Sequence, residues 1–264
     1  MKKTFGLIVL LGIVAVGVVL FQYAADRLPE ALPPARVAAP VAEPAPAEPE
    51  VRHPLVTDSA ASELPPVDGS DALVRRALAD LWGERVLEQL FNLNGFVRRV
   101  VATIDNLPRR DASFRLAPVK PAPGRFLTTG RGENLAISPL NAARYMEFVR
   151  FASAIDSGKL VSVYVRHYPL FQQAYVELGY PNGYFNDRLV EVIDHLLAAP
   201  ELPASAKLVQ PKVFYKFDDA DLEALSAGKK IMLRIGNDNA AAIKAKLREI
   251  RSELAGSSRR SSAR

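Results

Sequence analysis

Hydrophobic and polar positions divide the chain into three stretches of different character. The first is apolar throughout: from Thr4 to Ala25 the sequence TFGLIVLLGIVAVGVVLFQYAA carries no charge and no polar stripe. About 20 apolar helical residues, at about 1.5 Å each, cross the roughly 30 Å hydrocarbon core of a bilayer. Residues 1–28 are therefore predicted to be a transmembrane anchor that meets the membrane through residues 4–25.

A cleaved signal peptide is the alternative interpretation of this run. It is disfavoured because a signal peptide is usually shorter and ends in a small-x-small site, whereas Tyr23 occupies one of the positions that should be small. Lys2 and Lys3 precede the run, and Asp26 and Arg27 follow it. This charge distribution places the N-terminus inside the cell and everything after residue 28 outside the cytoplasm.

The second stretch, residues 29–66, is a Pro, Ala and Glu-rich segment predicted to be a disordered linker. It holds ten of the 20 prolines and no aromatic residue of the kind that builds a core. Proline-rich chain favours the extended polyproline conformation at about 3.1 Å per residue, so the linker has a reach of roughly 100 Å. His53 lies inside it and is expected to be solvated.

The third stretch, residues 67–255, repeats apolar positions at helical spacing. It predicts a mainly α, compact multi-helix domain with one small possible β-hairpin, followed by a basic flexible tail at 256–264. Asp68 or Ser70 is expected to cap the first helix, and Gly83 to end it.

A long irregular segment separates two groups of helices. Asn94 is predicted to begin a helix that ends before Pro108, since the residue before a proline avoids the helical region. Residues 108–138 follow, and the hairpin is expected there, around Gly130 and Gly132. A connection of this length is typical of a binding loop or a cover over a groove, or of an inert surface segment.

The helices after this segment have clear start signals. Ser138 followed by Pro139 predicts a helix start, with Leu140 on the apolar side of the helix. Asp156 or Ser157 is predicted to cap the next helix.

The C-terminal third predicts a kinked helix, an extended segment and two further helices. Pro169 should kink or split the helix that contains it. Residues 207–217 are expected to be extended, and Asp218 or Asp219 to cap one helix, DLEALSAGKKIMLRI, that Gly236 ends. The last helix alternates steps of four and three along an apolar seam and is expected to pack on its own domain. The seam residues are Ile243, Leu247, Ile250 and Leu254.

Candidate chemistry is concentrated in FNDRLVEVIDHLL, residues 185–197, a predicted helix with Asn186 as its cap. On a helical wheel its acidic residues lie opposite the apolar face, as on an ordinary amphipathic helix with its charges in water. Glu191 can pair with His195 or with Arg188 across one turn. We therefore predict no metal, cofactor-binding or catalytic site, and no cofactor. The candidates for a metal site, if one exists, are Asp187, Glu191, His195 and His167. His167 shares a face with two aromatic residues and is expected to be a packing residue.

Composition narrows the function classes further. The chain has no cysteine, which excludes disulfides and thiolate chemistry, and no G-x-S-x-G, P-loop or G-x-G-x-x-G motif. Its formal net charge is +5. This charge fits an anionic envelope partner, whether lipid, wall polymer or protein, and the basic last helix with its tail is the candidate contact surface. The expected topology argues against nucleic acid. A group of tyrosines and phenylalanines between residues 164 and 185 predicts either a sugar-binding groove or simply core.

Three stretches carry a family resemblance: VATIDNLPR, YPLFQQAYVELGYPNGYFNDRLVEVIDHLL, and LVQPKVFYKFDDADLEALSAGKKIMLRIGNDNAAAIKAKLREIR. Together they resemble the bacterial family catalogued as domain of unknown function 3014, over roughly residues 67–253. The resemblance implies a bacterial envelope protein with an anchor, a proline-rich tether and a helical domain. It implies no activity and no catalytic residue.

Two functions fit these observations. The first is a single-pass inner-membrane protein whose periplasmic domain is a tethered binding or scaffold module. The second is an envelope hydrolase that acts on cell-wall polymer or peptides. The missing catalytic motifs favour the first and argue against an enzyme, while the long loop and the acidic helix face keep the second open. The sequence leaves the oligomeric state open.

Overall fold

Helices build most of the fold. A computed structural model of the protein describes residues 51–55, 64–112 and 117–262, and these ranges contain nine α-helices. The helices are α1 Asp71–Trp82, α2 Glu84–Leu90, α3 Phe96–Asn106, α4 Met146–Ser153, α5 Ser157–Glu177, α6 Phe185–Leu197, α7 Ala220–Ala224, α8 Ala227–Arg234 and α9 Asn237–Ser262. Short 3-10 helices cover Val67–Gly69, Gly132–Asn134 and Pro139–Tyr145. The predicted mainly α class is confirmed.

Helix α6 lies at the centre of the domain and contacts α3, α5, α8 and α9. Its apolar residues recur at steps of three and four, so they form one continuous face. Leu189, Val192, Ile193 and Leu196 on that face are fully buried. The helix that carries the candidate chemistry is therefore fixed in the core along one side.

Helix α9 packs along α4, α5 and α6 with the seam that the sequence predicts. All four predicted seam residues, Ile243, Leu247, Ile250 and Leu254, are buried. The expectation that this helix packs on its own domain is confirmed.

Two small antiparallel hairpins lie on one side of the helices. Strand β1 (Thr128–Thr129) pairs with β2 (Ala136–Ile137), and β3 (Leu208–Val209) pairs with β4 (Lys216–Phe217). The first is the predicted hairpin. Gly130 has a φ of 75°, and a Cβ there would lie 2.0 Å from the carbonyl oxygen of Asn134, so the turn needs glycine.

The helix predicted to start at Ser138 begins as a 3-10 helix. Ser138 does cap it, because its hydroxyl accepts the N–H of Leu140. The seven residues Pro139–Tyr145 then form the 3-10 turns, and the α-helix begins only at Met146. Because the 3-10 helix has three residues per turn, the expected apolar side is rotated. Leu140 is consequently 71% exposed, and its predicted place on the apolar side is wrong.

Two helix boundaries also differ from the sequence prediction. The residues expected to form one helix after Asp219 form two, α7 and α8, because Ser226 caps a second start. At Pro169, where a kink or a split is expected, helix α5 is not split. A proline inside a helix costs about 3 kcal/mol, and the buried residues on both sides of Pro169 offset that cost. Helix α3 starts after Gly95, not Asn94.

The predicted anchor at residues 1–28 and most of the linker lie outside the described residues. Among the helices of the described ranges, none is both long enough and apolar enough to cross a membrane.

Candidate functional site

The N-terminus of α6 is held by side chains from α5. Tyr184 is the residue before the helix, and its own side chain caps nothing. Instead Oε1 of Gln172 accepts the N–H of Phe185 at 2.9 Å, and the hydroxyl of Tyr168 accepts the N–H of Asn186 at 3.4 Å. The prediction that Asn186 caps the helix is therefore wrong. Asn186 lies in the first turn and is fully buried.

A short segment of the predicted linker docks on this helix end. We call residues 51–55 the linker strap. Oδ2 of Asp187 accepts the main-chain N–H of Arg52 at 2.9 Å, and Oδ1 accepts that of His53 at 2.7 Å. The hydroxyl of Tyr184 accepts the N–H of Leu55 at 2.9 Å. His53, which the sequence suggests is solvated, is partly buried.

Asn186 also contacts the strap, but as a hydrogen-bond donor to a main-chain carbonyl. Its Nδ2 donates to the carbonyl oxygen of His53 at 2.8 Å, while its Oδ1 accepts the hydroxyl of Tyr164 at 3.2 Å. The buried tyrosine thereby fixes which end of the amide faces the strap. Tyr184, Asn186 and Asp187 thus form a receptor for main-chain groups, while Phe185 between them is buried in the core.

The strap lies beside a cleft of about 360 Å³. On the cleft wall Asp105, whose side chain is 4% exposed, accepts hydrogen bonds from Arg109, from Tyr180 at 3.1 Å and from Nε of Arg188 at 3.2 Å. Arg188 also bonds Glu191 at 2.9 Å. The cleft is lined by Arg52, Asp105, Tyr175, Tyr180, Asn182, Gly183, Tyr184, Asp187, Arg188 and Glu191.

The sequence places four polar residues of α6 on one solvent-exposed face, but in the structure their environments differ. They are Asp187, Glu191, Asp194 and His195. Asp187 is buried beneath the strap, so its predicted exposure is wrong. Glu191 is exposed and pairs with Arg188, one of the two partners expected for it. Asp194 pairs with Arg251 of α9 at 3.0 Å. His195 hydrogen-bonds Ser226, not Glu191.

Ser226 and His195 form the arrangement nearest to a catalytic pair. Nε2 of His195 lies 2.7 Å from Oγ of Ser226. The same hydroxyl accepts the N–H of Lys229 at 3.2 Å and so caps α8. Burial is the main cause that lowers the pKa of His195 below its ordinary value of 6.5, and the nearby Lys229 lowers it further.

The main-chain N–H groups that follow Ser226 already donate hydrogen bonds within the fold. A serine hydrolase needs free main-chain N–H groups near its nucleophile to hold the oxyanion. The N–H of Ala227 donates to the carbonyl of Arg109 at 2.7 Å, and that of Gly228 to the carbonyl of Leu107 at 2.8 Å. These bonds join the start of α8 to the end of α3. Ser226 therefore acts as a helix cap that His195 contacts, and the two residues lack the surroundings of a catalytic pair.

His167 is a packing residue, as expected. It is 6% exposed, and its Nδ1 lies 2.9 Å from the carbonyl oxygen of Val163. Burial lowers the pKa of its imidazole. In the described part of the chain, no group of three His, Asp or Glu side chains is placed to hold a metal ion.

Most of the aromatic group belongs to the core. Tyr164, Phe171 and Phe185 are at most 1% exposed. Tyr180 and Tyr184 are partly exposed and line the cleft, where Tyr180 stacks on Tyr175 at 4.5 Å between ring centroids. The cleft is thus bounded by aromatic rings on one side and charged groups on the other.

Several basic side chains of α9 form hydrogen bonds or ion pairs within the domain. Nζ of Lys246 is buried and donates to the carbonyl of Ile155 at 2.7 Å. Lys244 donates to the carbonyl of Ala199 at 2.5 Å. With Arg251 paired to Asp194, three of the charges proposed for an external contact stabilise helix ends or ion pairs instead.

Sequence reasoning missed Asp105 and Gln172 as parts of this site, and it missed the bond between Arg188 and Asp105. Asp105 and Arg188 lie 83 residues apart in the chain, and nothing in their local patterns links them. For Asp105 and Arg188, the available signal was a charged residue next to the apolar face of its helix.

Comparison with known proteins identifies the family. The family described as "Protein of unknown function (DUF3014)" matches residues 96–251, which include α3, α6 and every cleft residue except Arg52. The chain belongs to this family. Neither the curated proteins nor the solved structures with which the chain was compared include a match.

Proposed function

We propose that this protein is a bacterial inner-membrane protein, anchored through residues 4–25, whose periplasmic helical domain works as a tethered binding module. The observation that carries the proposal is the linker strap on α6: the domain holds a segment of chain through its main-chain groups, which is the task of a binding surface. The apolar run at the N-terminus and the lysines before it support the location.

The chemistry of the cleft supports binding over hydrolysis. A glycosidase-type pair needs one carboxyl group that carries a proton for the leaving group. In the cleft Asp105, Asp187 and Glu191 each accept hydrogen bonds from N–H donors. Carboxylates arranged as acceptors suit recognition of donors on a partner.

Alkaline phosphatase fused after residue 264 tests the location. We expect activity from the full chain and none from a matched fusion that lacks residues 4–25. Activity of a β-galactosidase fusion at the same place, with an inactive phosphatase fusion, would reverse the topology and end the proposal of a periplasmic module.

Purified full chain in detergent tests binding against hydrolysis. Isolated wall polymer and its peptides are incubated with the chain, and soluble products are separated by chromatography. We expect no turnover and, because of the positive charge, salt-sensitive cosedimentation with an anionic envelope component such as wall polymer or anionic lipid vesicles. Catalytic release of products that is lost in a Ser226→Ala variant would establish the hydrolase alternative.

A further inference from the structure

The contacts of the linker strap are almost all made by its main chain. Pro54 has no N–H, so the three N–H groups from Arg52 to Leu55 are all the main-chain donors of these four residues, and each is bonded to α6 or to Tyr184 before it. Val51, Arg52 and Pro54 are exposed, and no hydrogen bond from their side chains holds the strap among the contacts described. A site that binds main-chain groups can bind peptides of more than one sequence.

The receptor is built in the core, independently of the strap. Asn186 is fully buried and is oriented by Tyr164, and Gln172 bonds the first amide of α6. Asp187 belongs to the first turn of the same helix, where the helix dipole favours its charge. Asn186 and Gln172 keep their positions through contacts within the domain, and Asp187 is placed by the helix that carries it, so the strap is not needed to assemble the receptor.

An apolar groove continues the receptor beyond the strap. Leu55 is the only strap residue that packs against the main hydrophobic core. It lies at one end of a groove of about 660 Å³, whose wall is formed by α5 and the ring of Tyr184. Val176 in this wall is 39% exposed. The groove is lined by Leu55, Tyr168, Pro169, Gln172, Gln173, Val176, Glu177 and Tyr184.

We propose that the start of α6 is a peptide-binding site that the linker strap occupies, and that an extended peptide segment of a protein partner displaces it. The ligand offers two consecutive main-chain N–H groups to Asp187 and a carbonyl to Asn186. It places an aliphatic residue two positions later, where Leu55 lies. This inference rests on the proposed binding function and names the partner class: a protein with an exposed, extended, proline-tolerant segment.

The strap is suited to be displaced because it is short and its attachment is mostly polar. Five ordered residues are held by four hydrogen bonds and one apolar side chain. The eight residues between Leu55 and Leu64 keep the strap near its site at a high effective concentration. An external peptide therefore binds weakly to the wild type and tightly once the strap is released.

A labelled peptide tests the proposal with the full chain in detergent. The probe is residues 49–56, PEVRHPLV, with blocked ends and a fluorescein group, and binding is measured by fluorescence anisotropy. The strap is released by Arg52→Pro with His53→Pro, which removes both donors to Asp187 and leaves the helices unchanged. We expect the released variant to bind the probe at least about tenfold tighter than wild type, as for a site that is about nine-tenths occupied by the strap.

Matched variants on α6 separate recognition from charge. In the released variant, Asp187→Asn is expected to weaken binding at least about tenfold, since the carboxylate holds two donors. Asp194→Asn, on the same helix but paired with Arg251, is expected to change it less than about twofold. Equal losses from the two substitutions would contradict the proposal.

Two modified probes test main-chain reading directly. Methylation of the main-chain nitrogens of Arg52 and His53 keeps every side chain and is expected to abolish binding. Alanine in place of Arg52 keeps the N–H and is expected to leave affinity within about twofold. Undiminished binding of the methylated probe, or a folded released variant that binds no tighter than wild type, would falsify the assignment.

Hydrogen exchange of the wild type provides a second measurement that needs no variant. We expect the amides of Arg52, His53 and Leu55 to exchange at least about a hundredfold faster than those of Val192 and Ile193, because a displaceable segment opens without global unfolding. Equal protection of both sets would mean that the strap is a permanent part of the fold. This failure is distinct from failure of the proposed function, which the topology and turnover measurements decide.

Discussion

The main-chain N–H of His53 donates a hydrogen bond of 2.7 Å to Oδ1 of Asp187, 134 residues further along the chain. This bond joins a segment of proline-rich sequence to the central helix of the domain. It gives the carboxylate of Asp187 a structural role that its position on an acidic helix face does not suggest.

We first predict that Asp187→Asn releases the linker strap. The change removes one of two acceptor oxygens and the charge that strengthens both bonds, so we expect a loss of about 1–2 kcal/mol in the free energy of unfolding. Trypsin should cleave faster after Arg52, which mass spectrometry of the fragments measures. Asp194→Asn is the control, with a loss below about 1 kcal/mol because its ion pair is exposed. Identical cleavage rates in the two variants would show that Asp187 does not hold the strap.

A second prediction concerns the cap of α8. Ser226→Ala removes the acceptor for the N–H of Lys229 and the partner of His195. We expect the free energy of unfolding to fall by about 1–2 kcal/mol in urea denaturation. Ser162→Ala, which removes an exposed hydroxyl from the middle of α5, should change it by less than about 0.5 kcal/mol. A neutral Ser226→Ala would mean that the cap and the histidine bond contribute no stability.

Lys246 provides the third prediction. Its buried ammonium group donates to the carbonyl of Ile155 and pairs with Glu249. Lys246→Met keeps the apolar stem and leaves the carbonyl without this donor, so we expect a loss of about 1–3 kcal/mol. Arg248→Met, two residues further along on the exposed side of α9, is the control and should be nearly neutral. Similar urea midpoints for the two variants would contradict the structural role of Lys246.

The fourth prediction is a pH dependence that arises from His167. Burial lowers the pKa of this imidazole below its ordinary value of 6.5, so the unfolded state binds the proton first. Stability is therefore full above about pH 6.5 and is lost as the pH falls below that value. Urea midpoints at pH 7 and pH 5 should differ less in His167→Gln than in wild type.

The same measurement separates His167 from other titrating groups. The pKa of Glu249 is lowered from 4.5, chiefly by its hydrogen bond with Lys246, so its contribution is lost only in more acid solution. Burial also lowers the pKa of His195, and adding His195→Gln should flatten the remaining dependence. An unchanged pH profile in the double variant would contradict the assignment.

The sequence predicts those parts of the fold that depend on local pattern. The seam of α9 is visible because each turn repeats the same apolar spacing, and Ser138 is visible because a cap is a local signal. The apolar face of α6 is predicted for the same reason.

What the sequence did not predict depends on contacts between distant residues. Asn186 looks like a cap, but Gln172 from α5 bonds the first amide and allows the helix to start earlier. Asp187 looks exposed because the residues that cover it lie in a segment whose composition predicts disorder. The candidate site therefore becomes visible only when the strap and α6 are seen together.

The linker strap also determines where mechanical load enters the domain. A pull from the N-terminal side of Val51 acts first on the four hydrogen bonds at the start of α6, before it reaches the 3-10 helix at Val67. When those bonds break, residues 51–63 become free chain that spans at most about 47 Å, and we expect every helix to stay folded. Under tension the strap is thus expected to detach before any helix unfolds, and to bind again when the tension falls.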